Sequence, residues 1–261
     1  MEKVVILAGG MGTRLAEQTE VKPKPMVEIG GQPILWHIMK SYAHHGFKEF
    51  VIALGYKGDA IKRYFLDYFR LSGNMTVKVG SGDVDVHKRD CDDWTVHLID
   101  TGVDVLTGGR IKRLEPLLRE GTFLLTYGDG VSDVDPREVL AFHKRAGKLG
   151  TVTAVRPPAR FGGLVFDQNG EGDLVEDFEE KRQIGEGWIN GGFMCLEPGI
   201  FRYLEGDRSI LEKDVLERLA QEKQLAAYKH ARFWQCMDTM RDLKTLESYW
   251  ETGKPPWKVW R

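Results

Sequence analysis

Val4-Val5-Ile6-Leu7-Ala8 runs straight into Gly9-Gly10-Met11-Gly12-Thr13-Arg14-Leu15. The apolar run is continuous, not alternating, and it stops at glycine. That is the pattern of a strand buried on both faces, as in a parallel sheet. It is too short for the apolar core of a secretion signal with a cleavage site. A buried strand followed by a glycine-rich turn is how α/β proteins cradle phosphates. Glycine lets backbone N–H groups approach the ligand, and a nearby cation adds charge. A Walker-type loop needs GxxxxGK[ST], and Arg14-Leu15 is in the wrong place for it. A dinucleotide fingerprint needs GxGxxG, but Leu15 stands where its last glycine belongs, which argues against a nicotinamide-dependent dehydrogenase. Taken alone, a glycine loop is weak evidence, and the stretch reads more readily as a glycine turn with a surface arginine.

Beyond this loop, apolar runs bounded by glycine alternate with amphipathic stretches. Residues 50–54, 96–99, 123–127 and 151–155 read as strands. Residues 33–45, 61–71, 110–118 and 136–145 read as helices. Pro33 is near the first-turn position, where a missing N–H costs nothing. Ile61, Tyr64, Phe65 and Tyr68 fall on one face. Strand alternating with helix through residue 155 predicts a mainly parallel sheet covered by helices on both sides. The pattern then changes. Residues 164–166, 174–178, 191–196 and 226–229 are short strand-like runs between Gly, Pro and Asp turns. Helices are expected over 211–222 and 239–251, before Lys254-Pro255-Pro256-Trp257. The expected fold is α/β, one domain over 1–261, with some antiparallel pairing in its second half. Residues 74–94 are polar and read as a long loop or an excursion used in assembly. Trp250, Trp257 and Trp260 read as a docking strap, either on their own domain or on a neighbour.

Composition narrows the function. Hydrophobic residues make up 42% and charged residues 29% of the 261, which excludes a disordered or fibrous chain. Lys and Arg total 37 against 39 Asp and Glu, so no basic excess is left for a nucleic-acid backbone. The 30 glycines exceed the usual ~7% and suit tight turns and close backbone approach to a ligand. No apolar stretch reaches ~18 residues, so no membrane span is expected. Cys91, Cys195 and Cys236 are too few and scattered for a disulfide framework or a zinc cluster, and they suit reduced thiols in a cytoplasm. The 7 histidines lack metal-ligand spacing such as HExxH and read as structural.

Three charged positions stand out. Val21-Lys22-Pro23-Lys24-Pro25-Met26 sets cations among prolines, which stiffen the backbone around Lys24. Asp129 follows the 123–127 strand through Gly128, at the carboxyl end where α/β sheets bind ligands. There it could serve Mg²⁺, or equally cap a turn. Asp238 follows Trp234-Gln235-Cys236-Met237. A charge among bulky groups should pair or bind metal, though it could also cap the 239–251 helix. Asp133 and Asp135 read as loop and cap residues.

Ala8-Gly9-Gly10-Met11-Gly12-Thr13-Arg14-Leu15, then Lys22-Pro23-Lys24-Pro25-Met26, then Gly30-Gly31-Gln32-Pro33-Ile34-Leu35 resemble the opening of the sugar-nucleotidyltransferases. Further segments extend the likeness: Asp100-Thr101-Gly102, Thr107-Gly108-Gly109-Arg110, Tyr127-Gly128-Asp129-Gly130, Glu180-Lys181, Ile189-Asn190-Gly191-Gly192-Phe193 and Phe233-Trp234-Gln235-Cys236-Met237-Asp238-Thr239. Together they resemble the glucose-1-phosphate cytidylyltransferase branch over essentially the whole chain.

The resemblance implies a Rossmann-like nucleotidyltransferase fold. Residues 1–155 would form its nucleotide-binding half, and 156–261 its sugar-phosphate-binding and assembly half. It implies CTP and glucose 1-phosphate as substrates, Mg²⁺ as cofactor, and CDP-glucose for dideoxy-sugar and O-antigen pathways. It also implies a cytoplasmic homo-oligomer, with a hexamer as the candidate state. Arg14 and Lys24 would be catalytic. Leu7, Ala8, Gly9, Gly10, Met11, Gly12, Thr13, Arg14, Lys24, Val105, Arg110 and Gly128 would meet the nucleotide. Glu180, Lys181, Asn190 and Gly191 would meet the sugar phosphate, and Asp129 and Asp238 would share the metal.

Two departures carry information. Residues 100–110 stand where thymidylyl and uridylyl enzymes usually have Gln-x-x-Pro-x-Gly-Leu-Ala, which favours the cytidylyl branch. Arg182 replaces the proline that usually follows Glu-Lys. The alternatives are a uridylyl- or thymidylyltransferase on a related sugar 1-phosphate, or a non-catalytic nucleotide-binding regulatory module. Retention of Arg14, Lys24, Asp129 and Asp238 argues against the module. No Ser/His/Asp or Cys/His triad is evident, and the chemistry needs none. A sugar phosphate, with a second pKa of ~6, is already an anionic nucleophile near neutral pH.

Overall fold

The apolar runs assemble into an eight-stranded sheet among the described residues. The computed structural model describes residues 2–12, 15–71, 73–89, 91–157, 163–166, 175–179 and 187–260. The sheet strands are β1 (Val4–Ala8), β2 (Glu49–Leu54), β3 (Thr95–Asp100), β4 (Phe123–Tyr127), β5 (Gly150–Val155), β6 (Ile189–Asn190), β7 (Met194–Leu196) and β8 (Leu225–His230). Their order is β3-β2-β1-β4-β7-β5-β6, with β8 also paired to β5. β1 through β4 form the expected parallel array.

Sequence adjacency fails after β4. β5 does not lie beside it; β7 inserts antiparallel between them, pairing Met194 with Leu125 and Cys195 with Thr151. The sheet therefore draws strands from both sides of residue 155. The strand expected over 191–196 is interrupted. Gly192 and Phe193 take φ values of +79° and +46°, which separates β6 from β7.

Side-chain alternation along β1 explains its double burial. Val4, Ile6 and Ala8 pack on one face with α1 (Ile34–His44), and Val5 and Leu7 pack on the other with Val51 and Ala53. Each buried valine, leucine or isoleucine among them contributes about 1.5–3 kcal/mol. α2 (Gly58–Leu71) buries Ile61 and packs Tyr64 and Phe65 on the α1 side, as its periodicity requires. α3 (Thr107–Arg113) begins before the expected 110, and a separate turn follows over Glu115–Leu118. Pro116 lies in that second turn, and with no N–H it cannot continue a helical ladder. α4 (Pro136–Ala146) is capped by Asp135, as expected, through Arg137 N at 2.8 Å.

α5 (Met240–Glu251) corrects the capping alternative for Asp238. Its cap is Thr239, which accepts from Asp242 N at 3.2 Å, while Asp242 accepts from Thr239 N at 2.9 Å. That reciprocal box satisfies the helix start and leaves Asp238 for other work. The helix expected over 211–222 begins with a widened, π-type turn at Leu211–Glu217 and ends as Arg218–Gln221.

Much of the segment over 74–94 is strand, where a long loop was one expectation. Gly73–Lys78 and Asp83–Arg89 pair as an antiparallel hairpin. The tryptophan strap packs on its own chain: Trp257 is 1% exposed, and its indole N–H donates to His37 Nδ1 at 3.3 Å. Gly163–Phe166 and Val175–Glu179 form a further antiparallel pair, while Leu174, expected to start the second strand, lies outside the described residues. Among the described residues no helix is long and apolar enough to cross a membrane.

Candidate active site

Register sets the site. Ala8 pairs with Leu54, Leu7 with Tyr127, and Leu54 with Asp100, so four strand ends lie level along one sheet edge. Glycine follows close behind each of them, at Gly9, Gly55, Gly102 and Gly128. Three of these cannot carry a side chain, Gly55 among them, where a Cβ would fall 2.4 Å from Arg110 Nη1 and 2.7 Å from Gly9 O. A Cβ on Gly9 would fall 2.2 Å from Arg110 Cζ, and one on Gly128 would fall 2.8 Å from Leu7 O.

Beyond this edge opens a cleft of about 390 Å³. Of the predicted nucleotide residues, Leu7, Ala8, Gly9, Gly10, Gly12, Lys24, Val105, Arg110 and Gly128 line it, and so does Asp129. Met11 is half exposed and outside the lining. Thr13, Arg14, Glu180 and Lys181 lie outside the described residues. Pro25, Leu106, Thr107 and Tyr127 also line the cleft and were not anticipated. Tyr127 could have been found, since it is the last residue of the strand that delivers Gly128 and Asp129. Thr107 opens the Thr107-Gly108-Gly109-Arg110 segment of the likeness, whereas Leu106 carries no comparable local signal.

Arg110 is 5% exposed and is spent inward. It donates to Gly9 O at 3.0 Å, Leu54 O at 3.0 Å, Gly102 O at 2.6 Å, Val103 O at 3.1 Å and Thr101 Oγ1 at 2.8 Å. Burial pulls its pKa below the ordinary arginine value, and the charge of Asp100 partly opposes this. Arg110 therefore stitches three strand-end loops into a floor under the glycine turn. The fork of the guanidinium suits that task, because it serves several acceptors at once.

Lys24 faces outward into the cleft. Pro23 and Pro25 flank it, and Met26 N donates to Pro23 O at 2.8 Å, closing a single helical turn over Lys24–Met26. Its Nζ donates to Asp129 Oδ2 at 2.6 Å and to Asp238 Oδ1 at 2.5 Å. The two carboxylate oxygens are thus at most about 5 Å apart, the sum of those distances. Burial would lower the lysine pKa, but the charges and hydrogen bonds of Asp129 and Asp238 outweigh it and hold the ammonium above its ordinary range. Lys22, by contrast, pairs at the surface with Glu28 at 2.7 Å.

A two-stranded ribbon brings the aspartates together. Gly130–Ser132 pairs antiparallel with Trp234–Cys236, setting Gly130 opposite Cys236, and Met237 N donates to Asp129 O at 2.8 Å. Among the described residues no group of three or more His, Cys, Asp or Glu side chains forms a metal cage. Two convergent carboxylates do fit Mg²⁺, which takes one or two of them and completes its shell with phosphate oxygens and water.

Asn190 and Gly191 sit where β6 breaks. Trp234 Nε1 donates to Gly191 O at 2.9 Å, and Asn190 Nδ2 lies 3.4 Å from the Tyr127 hydroxyl. Tyr127 therefore connects Asn190 to the wall of the glycine-lined cleft.

The family model described as nucleotidyl transferase matches residues 3–255. Glucose-1-phosphate cytidylyltransferase of Salmonella typhi is 49% identical to this chain over 99% of each. Probable glucose-1-phosphate cytidylyltransferase of Bacillus subtilis is 41% identical over 99% of this chain and 100% of its own. Among solved structures, HddC from Yersinia pseudotuberculosis complexed with GMP-PN superposes with a TM-score of 0.68 at 24% identity, covering 96% of this chain and all of that one. An apo UDP-glucose pyrophosphorylase also reaches 0.68, at 15% identity over 97% of this chain and 99% of its own. At those identities the two structures speak for the fold alone.

Proposed function

The chain belongs to the nucleotidyl transferase family, and from that premise we propose that it joins CTP to α-D-glucose 1-phosphate, giving CDP-glucose and pyrophosphate. The resemblance carried by the glycine loop, residues 22–26 and residues 233–239 is borne out by relatives 49% and 41% identical over nearly the full chain. The observation that carries the reading is Lys24, held between Asp129 and Asp238 on the rim of a glycine-lined cleft.

In this reading a phosphate oxygen of glucose 1-phosphate attacks the α-phosphorus of CTP. A new P–O bond forms, the α–β bridging P–O bond breaks, and pyrophosphate leaves with its electron pair. The nucleophile arrives already anionic, so no general base is required. The protein gathers two polyanions and neutralises the charge that builds on the phosphates. The glycine turn offers backbone N–H donors, and Lys24 offers a cation pre-set by its prolines, with Arg14 as the second cation. Glu180, Lys181, Asn190 and Gly191 meet the sugar phosphate. Asp129 and Asp238 would hold Mg²⁺, which supplies further positive charge to the phosphates when bound. A cytoplasmic homo-oligomer completes the proposal.

A pyrophosphate-release assay tests it, with CTP, UTP and dTTP each offered against several sugar 1-phosphates. CTP with glucose 1-phosphate should give the highest kcat/KM, and EDTA should stop turnover until Mg²⁺ is restored. A highest value with dTTP would overturn the substrate assignment.

A further inference from the structure

We infer that Glu212 is a positioning residue which, through the Tyr127 hydroxyl, orients Asn190 at the sugar end of the cleft. The inference rests on the sugar-binding role proposed above for Asn190. Glu212 stands on the widened turn Leu211–Glu217, and such π-type turns are frequent at functional sites. Its two carboxylate oxygens are spent in two directions. Oε2 accepts from Thr107 Oγ1 at 2.8 Å, and Oε1 accepts from the Tyr127 hydroxyl at 2.5 Å.

Each donor direction in this chain is forced. Leu211 N donates to Thr107 Oγ1 at 3.0 Å, so the threonine turns its own proton to Glu212. A carboxylate can only accept, so the Tyr127 phenol gives its proton to Glu212. Having given that proton to Glu212, the phenol oxygen can only accept. Asn190 Nδ2 lies 3.4 Å from it, and Asn190 Oδ1 accepts from Gly192 N at 3.0 Å. The amide is thereby held one way round, with nitrogen toward Tyr127 and oxygen toward the backbone. In that orientation it retains capacity for a second N–H donation and a second acceptance, the pair a sugar hydroxyl uses. Thr107 and Tyr127 both line the nucleotide cleft, so the same carboxylate ties its wall to the sugar end. A charged acceptor is needed because hydrogen bonds to a carboxylate are roughly twice as strong as neutral ones.

Glu212→Gln keeps the shape and reverses the polarity. A glutamine can accept from one hydroxyl but must present its NH₂ to the other. If that is Tyr127, the phenol proton turns toward Asn190 Nδ2, donor against donor. The expected result is a rise of about tenfold in KM for glucose 1-phosphate, the scale of one lost charged hydrogen bond. The Kd for CTP, measured by calorimetry, should stay within about twofold. Asn190→Ala should raise the same KM by a similar factor, and the double variant should be no worse than Asn190→Ala alone, because Glu212 acts through Asn190. Tyr127→Phe breaks the chain from the other side and serves if Glu212→Gln does not fold. Multiplicative losses in the double variant, or a CTP affinity that weakens as much as the sugar KM, would overturn the inference. The unmodified chain is assayed first with CTP and glucose 1-phosphate. Failure to make CDP-glucose there refutes the proposed function. Normal turnover there with multiplicative variants refutes only the role of Glu212.

Discussion

Arg110 and Lys24 border the same cleft, yet one is spent on carbonyl oxygens and the other on carboxylates. Around Arg110, neutral acceptors from the loops after β1, β2 and β3 converge on one guanidinium, and the glycines at 9 and 55 exist to let it in. Around Lys24, a compact ammonium on a proline-locked turn draws two carboxylates together from distant parts of the chain. The first arrangement satisfies buried backbone, so losing it is a defect of folding. The second adjusts the local field where phosphates are proposed to react, so losing it is a defect of rate. Cations in one cleft need not share one job, and the partners they face tell the two apart.

The largest expected effect tests the Lys24 corner. Asp129→Asn or Asp238→Asn keeps the side-chain shape and removes a charge. Steady-state kcat should fall by at least about 10³-fold for each, a metal ligand being worth more than a single preorganised donor. Circular dichroism should still report a folded chain. An Asn variant with near-normal kcat would show that its aspartate balances Lys24 and nothing more.

Next comes the lysine itself. Lys24→Ala should lose about 10²–10³-fold in kcat with a smaller change in KM, the scale for one preorganised stabilising donor. Lys22→Ala should lose less than about threefold, because Lys22 pairs with Glu28 at the surface and exposed pairs contribute about 0–1 kcal/mol. The reverse ranking would exchange the roles of the two lysines.

The smallest rate effect and the clearest stability effect belong to Arg110. Arg110→Met keeps much of the apolar stem and strands several carbonyls. We expect a stability loss of about 3 kcal/mol, which for a chain of this size lowers Tm by roughly 6–12 °C. Thermal unfolding followed by calorimetry checks this. If Tm holds while the Kd for CTP weakens a hundredfold, Arg110 contacts the nucleotide directly and the contrast with Lys24 collapses.

Much of the fold was legible in local pattern. β1 and β4 have the expected bounds, and β2, β3 and β5 extend theirs by a residue or so. Continuous apolar runs stopped by glycine have few other uses. The insertion of β7 between β4 and β5 was not legible, because three apolar residues cannot state which strands they will pair with. The break at Gly192 and Phe193 was hidden as well, since a left-handed φ at a phenylalanine is imposed by packing against propensity. The aspartates were named from their positions, but the choice between capping and ligation for Asp238 turned on Thr239, one residue on. The resemblance marked Arg110 as a residue that meets the nucleotide, and its carbonyl partners could not be seen in the sequence. They lie at three strand ends that become neighbours only when the sheet forms.

By itself the sequence determined a parallel sheet, a glycine turn after its first strand, a stiffened lysine and an aspartate at a strand end. Each depends on backbone rules that act within a few residues: periodicity, the freedom of glycine and the fixed φ of proline. Only the tertiary structure decided that Lys24 bridges Asp129 and Asp238, and that Glu212 reaches Tyr127. These contacts follow from strand register, above all Gly130 opposite Cys236, and register is set by the burial of whole faces. A carboxylate carries no local mark of the partner it will meet. Its partner is settled when the sheet closes and the chain ends that reach the same edge must share their charges.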